Sequence, residues 1–159
     1  MTSKIPITFF APAERKPIEV IQRQAAKLSE TPLAGVFLNA TFNYLLVLNA
    51  QRQIVMASEN FLDLVGAKTI DQIIGLRPGE ALACIHSNES ESGCGTSRFC
   101  SKCNVVKVIL AGLNGSREME ECHVTRCGPE GEETLHLRAL ATPLLHNKEQ
   151  YTLLAMVKM

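Results

Sequence analysis

The chain has 159 residues, 46% apolar and 20% charged, with sixteen basic side chains against sixteen acidic ones, the size and balance of one ordinary globular domain. Zero net charge leaves no excess of Lys and Arg to release phosphate counterions, which argues against nucleic acid or an anionic membrane as a partner. No apolar run approaches the roughly 18 residues of a membrane helix, the longest being Tyr44–Leu48 and Val105–Leu113. At the N-terminus Lys4, the run Ile5 to Phe10 and Ala11-Pro12-Ala13 imitate a signal peptide, but that run is shorter than the roughly 7–15 residues export requires. The chain therefore reads as soluble and cytoplasmic. In that reducing compartment its six cysteines are more often metal ligands or redox centres than disulfides.

Residues 1–16 have no sustained periodicity and form a lead-in. From Pro17, apolar Ile18, Ile21, Ala25 and Leu28 recur along one seam, which predicts an amphipathic helix to about Ser29 that opens on a proline. Its mixed Glu, Arg and Lys face argues against lipid, so the stripe is expected to dock on its own domain or on a second copy. Leu33 to Leu38 reads as a short apolar connector. Tyr44–Leu48 and Gln53–Ala57 form a hairpin about Asn49-Ala50-Gln51-Arg52. Ser58 is placed to cap a short helix through Phe61, Leu62 and Val65 that Gly66 ends, and Thr69-x-x-Gln72 has the pattern of a capping box opening a second one, stopped by Gly75.

A loop rich in Ser, Gly and Cys runs from Arg77-Pro78-Gly79-Glu80 to Phe99. Val106, Ile109, Leu110 and Leu113 then set a helical stripe that stops at Asn114-Gly115. Glu118–Arg126, Glu133–Leu145 and Gln150–Val157 are three long strands separated by the turns Cys127-Gly128-Pro129-Glu130-Gly131 and His146-Asn147-Lys148-Glu149. In the middle strand Leu135, Leu137, Ala139 and Ala141 give one uniformly apolar face. The fold class is α+β: a five-stranded antiparallel sheet with short helices on one face, plus the N-terminal helix.

That element order, with the stretch Val47-Leu48-Asn49-Ala50-Gln51-Arg52-Gln53-Ile54-Val55-Met56-Ala57-Ser58-Glu59-Asn60, resembles a PAS sensory domain over residues 40–159, with 1–39 a lead-in and dimerisation helix. A narrower likeness lies in Gly75 to His86, Gly93-Cys94-Gly95-Thr96-Ser97, Cys100-Ser101-Lys102-Cys103 and Ala141-Thr142-Pro143-Leu144. These resemble a cysteine-rich group of PAS sensors found ahead of bacterial histidine kinases. The chain stops after the last strand and carries no kinase signature, so the resemblance implies either a free-standing sensor that signals through a partner or a fragment of a larger kinase.

Cys84, Cys94, Cys100 and Cys103 lie within twenty residues. Cys100 and Cys103 are one turn apart, which lets two sulfurs reach one metal, and a position in the first helical turn is expected to lower their thiol pKa. Four thiolates carry about −4, so a zinc site would keep about −2; Arg98, Lys102 and Arg77 are the cations expected to offset part of it. An iron–sulfur cluster meets the same charge, with N–H donors such as those of Gly93 and Gly95 available to tune it. His86 is a further candidate ligand, with a solvated role as the plainer reading. Cys122 and His123 are adjacent on a strand and face opposite sides. Cys122 is assigned to core filling, Cys127 to an exposed turn, and His136 and His146 to structural or solvated positions.

The leading reading is a redox sensor whose four-cysteine centre holds an iron–sulfur cluster, with zinc as the alternative metal, and which signals as a homodimer to a histidine-kinase type partner. Two other readings stay open. One is a small-molecule sensor with a structural zinc clasp and a pocket near Phe61, Leu82 and Leu137. The other is a metal-free thiol–disulfide switch. Cys84 with His86 is the only arrangement that suggests an enzyme, and it has no orienting carboxylate in the sequence pattern; the chain is read as a non-enzyme.

Overall fold

The computed structural model describes residues 7–159, so the Lys4-Ile5 start of the signal-like stretch lies outside the described residues. Five strands, β1 Tyr44–Leu48, β2 Ile54–Ala57, β3 Glu118–Gly128, β4 Gly131–His146 and β5 Glu149–Lys158, form one antiparallel sheet in the order β2-β1-β5-β4-β3. The last three strands are longer than the sequence pattern marks. Their turns tighten to Pro129-Glu130 and to Asn147-Lys148, both of the latter at positive φ, the conformation that matches strand twist in a two-residue hairpin.

Alternation along the strands divides the apolar residues between two faces. On one face Leu46, Leu48, Leu135, Leu137, Ala139, Ala141, Leu154 and Met156 pack with Phe61 and with Val105, Val108 and Ile109 of helix α5, Asn104–Leu113. Gly112 lets this helix lie close: a Cβ there would meet Thr152 Oγ1 at 2.3 Å and Ala141 Cβ at 3.2 Å. A glycine inside a helix costs about 1 kcal/mol relative to alanine, which the closer approach offsets by burying the small residues Ala139 and Ala141.

The opposite face is covered by the N-terminal helix α1, Ile18–Ser29. Ile21 and Leu28 pack against Leu45, Val47, Val55 and Tyr151. The seam proposed for self-association is therefore seated on the helix's own sheet. Its pattern also shifts: Gln24 is buried between the two apolar anchors and donates to Glu149 while accepting from Asn49, whereas Ile18 is exposed. The 33–38 segment, expected as a connector, contains a helical turn, α2 Ala34–Leu38.

Two cap expectations are corrected. Ser58 precedes α3, Glu59–Val65, but its hydroxyl accepts from the Leu45 N–H and contacts Asn60 Oδ1, tying the helix to β1. Thr69 opens only a 3-10 turn, Ile70–Gln72, without a side-chain cap; Gln72 accepts instead from the Lys68 N–H at 2.7 Å. Half of such a box forms eight residues on, where Glu80 accepts from the Arg77 N–H at 3.0 Å and Pro78 starts α4, Pro78–Ala81; the Arg77 guanidinium has no acceptor to return the bond. Among the described residues no helix is long and apolar enough to cross a membrane.

Candidate cysteine centre

Three anchors place the cysteine loop. At its start Cys84 is bridged to Arg126 of the edge strand β3, with Ile85 N–H donating to Thr125 O at 3.0 Å and Cys127 N–H to Ala83 O at 3.1 Å. At its end Cys100 sits in a 3-10 turn, Phe99–Lys102, and Cys103 is the residue before α5. In its middle the Cys94 N–H donates to Glu80 Oε2 at 3.0 Å. The Glu80 carboxylate also takes a bidentate pair of bonds from Arg15. Burial alone would raise the Glu80 pKa, but the bonds from Arg15 and from the Arg77 and Cys94 N–H groups outweigh it and hold the carboxyl below its usual range. Gly93 is required here: at φ +86 its missing Cβ would lie 2.1 Å from Glu80 Oε2.

These anchors bring Cys84, Cys94, Cys100 and Cys103 to the wall of one cavity of about 60 Å³, which His86, Arg52, Leu82, Phe99, Val106 and Ile109 also border. That is room for a few water-sized groups. The four sulfurs are approached by hydrogen-bond donors. Backbone N–H groups near three of them favour the thiolate, those of His86 and Ser87 for Cys84, of Gly79 for Cys94 and of Val106 and Val105 for Cys103, while Cys100 Sγ lies 3.2 Å from Ser97 Oγ. Among the described residues, however, no three His, Cys, Asp or Glu side chains converge closely enough to hold a metal ion as they stand.

The first-turn position does not lower the Cys103 pKa as expected. Burial pushes this thiol up despite its N–H donors; burial also raises Cys84 and drives Cys94 up to about 12. For the bare thiols, loss of water outweighs the helix end. The neighbouring cysteines add to the effect, since Cys100 and Cys103 oppose ionisation of Cys84 and of Cys94. Such thiols become thiolates only when a cation compensates them.

The cations differ from those expected. Arg98 is exposed and stacks on the Phe9 ring at 4.4 Å, and Lys102 is exposed. Arg77 is fully buried but serves the backbone, donating to Gln51 O at 2.9 Å, Ser92 O at 3.1 Å and Glu14 O at 2.8 Å. Burial, then the charges of Arg52 and Arg15, pull its pKa down to about 9, which leaves it cationic at neutral pH. The cation on the cavity wall is Arg52, which sequence reasoning had placed only as a turn residue. Likewise the Gly93 N–H, expected as a donor to a cluster, is engaged by Ser90 O at 3.1 Å.

His86 borders the cavity, stacks on Phe99 with ring centroids 3.5 Å apart, and shares Nδ1 with Glu89 Oε1 at 2.6 Å. An orienting carboxylate thus does accompany it, although it is the His86 backbone N–H that favours the Cys84 thiolate. Cys122 fills the core, 4% exposed, and burial raises its thiol pKa to about 12. Cys127 is exposed, at the end of β3 rather than in the turn. His123 stands on the other side of β3 from Cys122, against His136 at 4.3 Å. The small-molecule pocket is also relocated. Phe61 and Leu137 are closed into the core, and of the three residues named for it only Leu82 borders the cavity.

No family model matches the chain, and no curated protein matches its sequence. Solved structures do match in shape. The PAS domain of nitrogen regulation protein NR(II) from Vibrio parahaemolyticus superposes with a TM-score of 0.54 at 16% identity, over 80% of this chain and 98% of that one. The PAS domain of the HTR-like protein from Haloarcula marismortui gives 0.54 at 16% identity, over 86% and 98%. A PAS domain from a two-component sensor histidine kinase gives 0.53 at 8% identity, over 82% and 97%. The chain has the PAS fold. Within this PAS fold the cysteine loop connects α4 to α5, and the cavity lies between that loop, α5 and strand β3.

Proposed function

We propose that the chain is a signal-sensing PAS module whose centre, built from Cys84, Cys94, Cys100 and Cys103, binds an iron–sulfur cluster and reports redox state to a partner signalling protein of the histidine-kinase type. The observation that carries this reading is the meeting of the four thiols on one cavity wall, with backbone N–H groups that favour thiolate near three of them and Ser97 Oγ 3.2 Å from the fourth. Hydrogen bonds to sulfur stabilise thiolate and tune a cluster's potential. The donor set fits the group in kind. Loading would need the sulfurs to stand closer together than they do here. The cluster, when bound, supplies a one-electron redox change. The chain's own residues supply four thiolates, the N–H donors, and a dry wall of Leu82, Val106 and Ile109 that limits water.

A single zinc ion is the second reading. A cavity of about 60 Å³ suits one ion held in a tetrahedral thiolate site with less rearrangement. The likeness of the cysteine motifs to PAS sensors ahead of histidine kinases supports the signalling partner. A homodimer through the N-terminal region would rest on the outward residues Ile18, Leu33, Val36 and Phe37, because the α1 seam is docked.

The decisive experiment is anaerobic purification followed by visible absorption, with iron, zinc and acid-labile sulfide counted per chain. Iron and sulfide with visible charge-transfer bands support the cluster; zinc without colour supports the clasp. Cys100→Ser or Cys103→Ser is expected to abolish metal content. Full retention in either variant refutes the centre.

A further inference from the structure

Arg52 is buried beside the cysteine cavity with part of its hydrogen-bonding capacity unused. It is 2% exposed, stands at φ +65 in the β1–β2 turn and forms part of the cavity wall. Its Nη1 donates to Pro12 O at 2.9 Å and its Nη2 to Cys94 O at 3.2 Å. Its Nε is the one buried side-chain nitrogen or oxygen among the described residues without a hydrogen-bond partner. A donor withdrawn from water and left unmatched calls for an acceptor. The guanidinium is also held in place: a Cβ on Gly95 would come within 2.8 Å of Nη2 and 3.1 Å of Nε, so it packs flat against a backbone that only glycine leaves open.

The same side chain joins two segments. Residues 7–16 run as a strap along the cysteine loop, with Phe9 N–H donating to Thr96 O and Ala11 N–H to Gly95 O, each at 2.9 Å. Arg15 donates to Ser92 O at 3.0 Å, and the Lys16 N–H is held by Gln53 Oε1 at 2.9 Å. The strap then enters α1, on the sheet face opposite the cavity. Thus the backbone of Cys94 and the strap at Pro12 are clamped by one guanidinium whose third nitrogen is unmatched.

We propose that Arg52 is the positioning residue that couples the cysteine centre to the N-terminal strap. Its Nε–H donates to the anionic group formed by the thiolates of the loaded centre, while its other two nitrogens hold Cys94 and Pro12. This inference rests on the metal-thiolate centre above and adds the route by which its state leaves the cavity. Loss of the centre removes the acceptor at Nε, which weakens the clamp on Pro12 and lets the strap ahead of α1 open more often.

The test uses the full chain purified anaerobically, with hydrogen exchange at the Phe9 and Ala11 amides and metal content per chain as readouts. Arg52→Asn removes the fork while tolerating positive φ, and Arg52→Lys keeps a charge that cannot bridge all three acceptors. Unchanged exchange at Leu137 and Ala139 in β4 certifies the fold. Arg52→Asn is expected to speed strap exchange by about tenfold and to lower metal content, whereas Arg52→Lys keeps metal and loses strap protection. Chelation of the wild-type protein is expected to speed strap exchange, and to have little further effect in Arg52→Asn. A metal-loaded wild type whose strap responds neither to Arg52→Asn nor to chelation overturns the coupling alone. A wild-type chain with neither metal nor sulfide overturns the centre, and with it the acceptor assigned to Nε.

Discussion

Glu80→Gln removes one charge at the point where the strap, the α4 N-terminus and the cysteine loop meet. The carboxylate accepts from Arg15, from the Arg77 N–H and from the Cys94 N–H, and its side chain is only 16% exposed. Hydrogen bonds to a charged group contribute about 1.5–3 kcal/mol each against about 0.5–1.5 for neutral ones. Gln keeps one oxygen acceptor and places an NH2 where the other oxygen faced donors. Weakening several contacts and losing one gives a destabilisation of about 2–4 kcal/mol. For a chain of this size that lowers Tm by roughly 4–16 °C.

The pH dependence provides a second check. The folded carboxyl has a pKa below the ordinary value of 4.5, so its contribution is fully present above that value. It is lost as pH falls through the lower folded pKa. Urea unfolding of both proteins at neutral pH and at several points below pH ~4.5 should therefore show a gap that narrows with acid. A gap under about 0.5 kcal/mol at neutral pH, or one that stays constant on acidification, refutes the assignment of Glu80 as the ionic clasp of this loop.

Gly93→Ala puts a methyl into the space of Glu80 Oε2 at a left-handed backbone position. It is expected to destabilise by about 2–4 kcal/mol in urea and to expose the strap to proteolysis. Ile21→Ala should cost about 2–4 kcal/mol and leave the oligomeric state by light scattering unchanged, because Ile21 packs on its own sheet; dissociation of a dimer would contradict that placement. Cys127→Ser should shift stability by less than about 0.5 kcal/mol and leave metal content unchanged, since Cys127 is exposed and apart from the cavity.

Much of the fold was legible because its signals are local. The alternation Leu135, Leu137, Ala139, Ala141 declares a face without reference to the rest of the chain, and the stripe Val106, Ile109, Leu110, Leu113 marks the helix, although Val105, Val108 and Ile109 carry the face that packs on the sheet. The grouping of four cysteines against two was legible for the same reason, as their spacing sets them in one loop. The α4 helix could also have been read, since Pro78 at its first position and Glu80 at its third carry an N-terminal signature. Thr69-x-x-Gln72 had a similar pattern and formed no box, because Gln72 bonds to Lys68 instead. The His86–Glu89 pair, three residues apart, is a local spacing of the same kind.

Element order, the apolar faces of the sheet and the grouping of Cys84, Cys94, Cys100 and Cys103 in one loop are written along the chain. These depend on period and spacing, which the chain carries locally. Which charged groups serve the site depends on contacts that exist only in the folded chain. Arg52 reaches Pro12 across 40 positions and Arg77 reaches Glu14 across 63, and both bond to backbone carbonyls, which every residue type offers alike. Only folding, too, seated the α1 seam on the far face of the sheet and raised the Cys103 thiol that a helix start would have acidified. Burial acts through the whole surrounding shell, and no spacing along the chain records that shell.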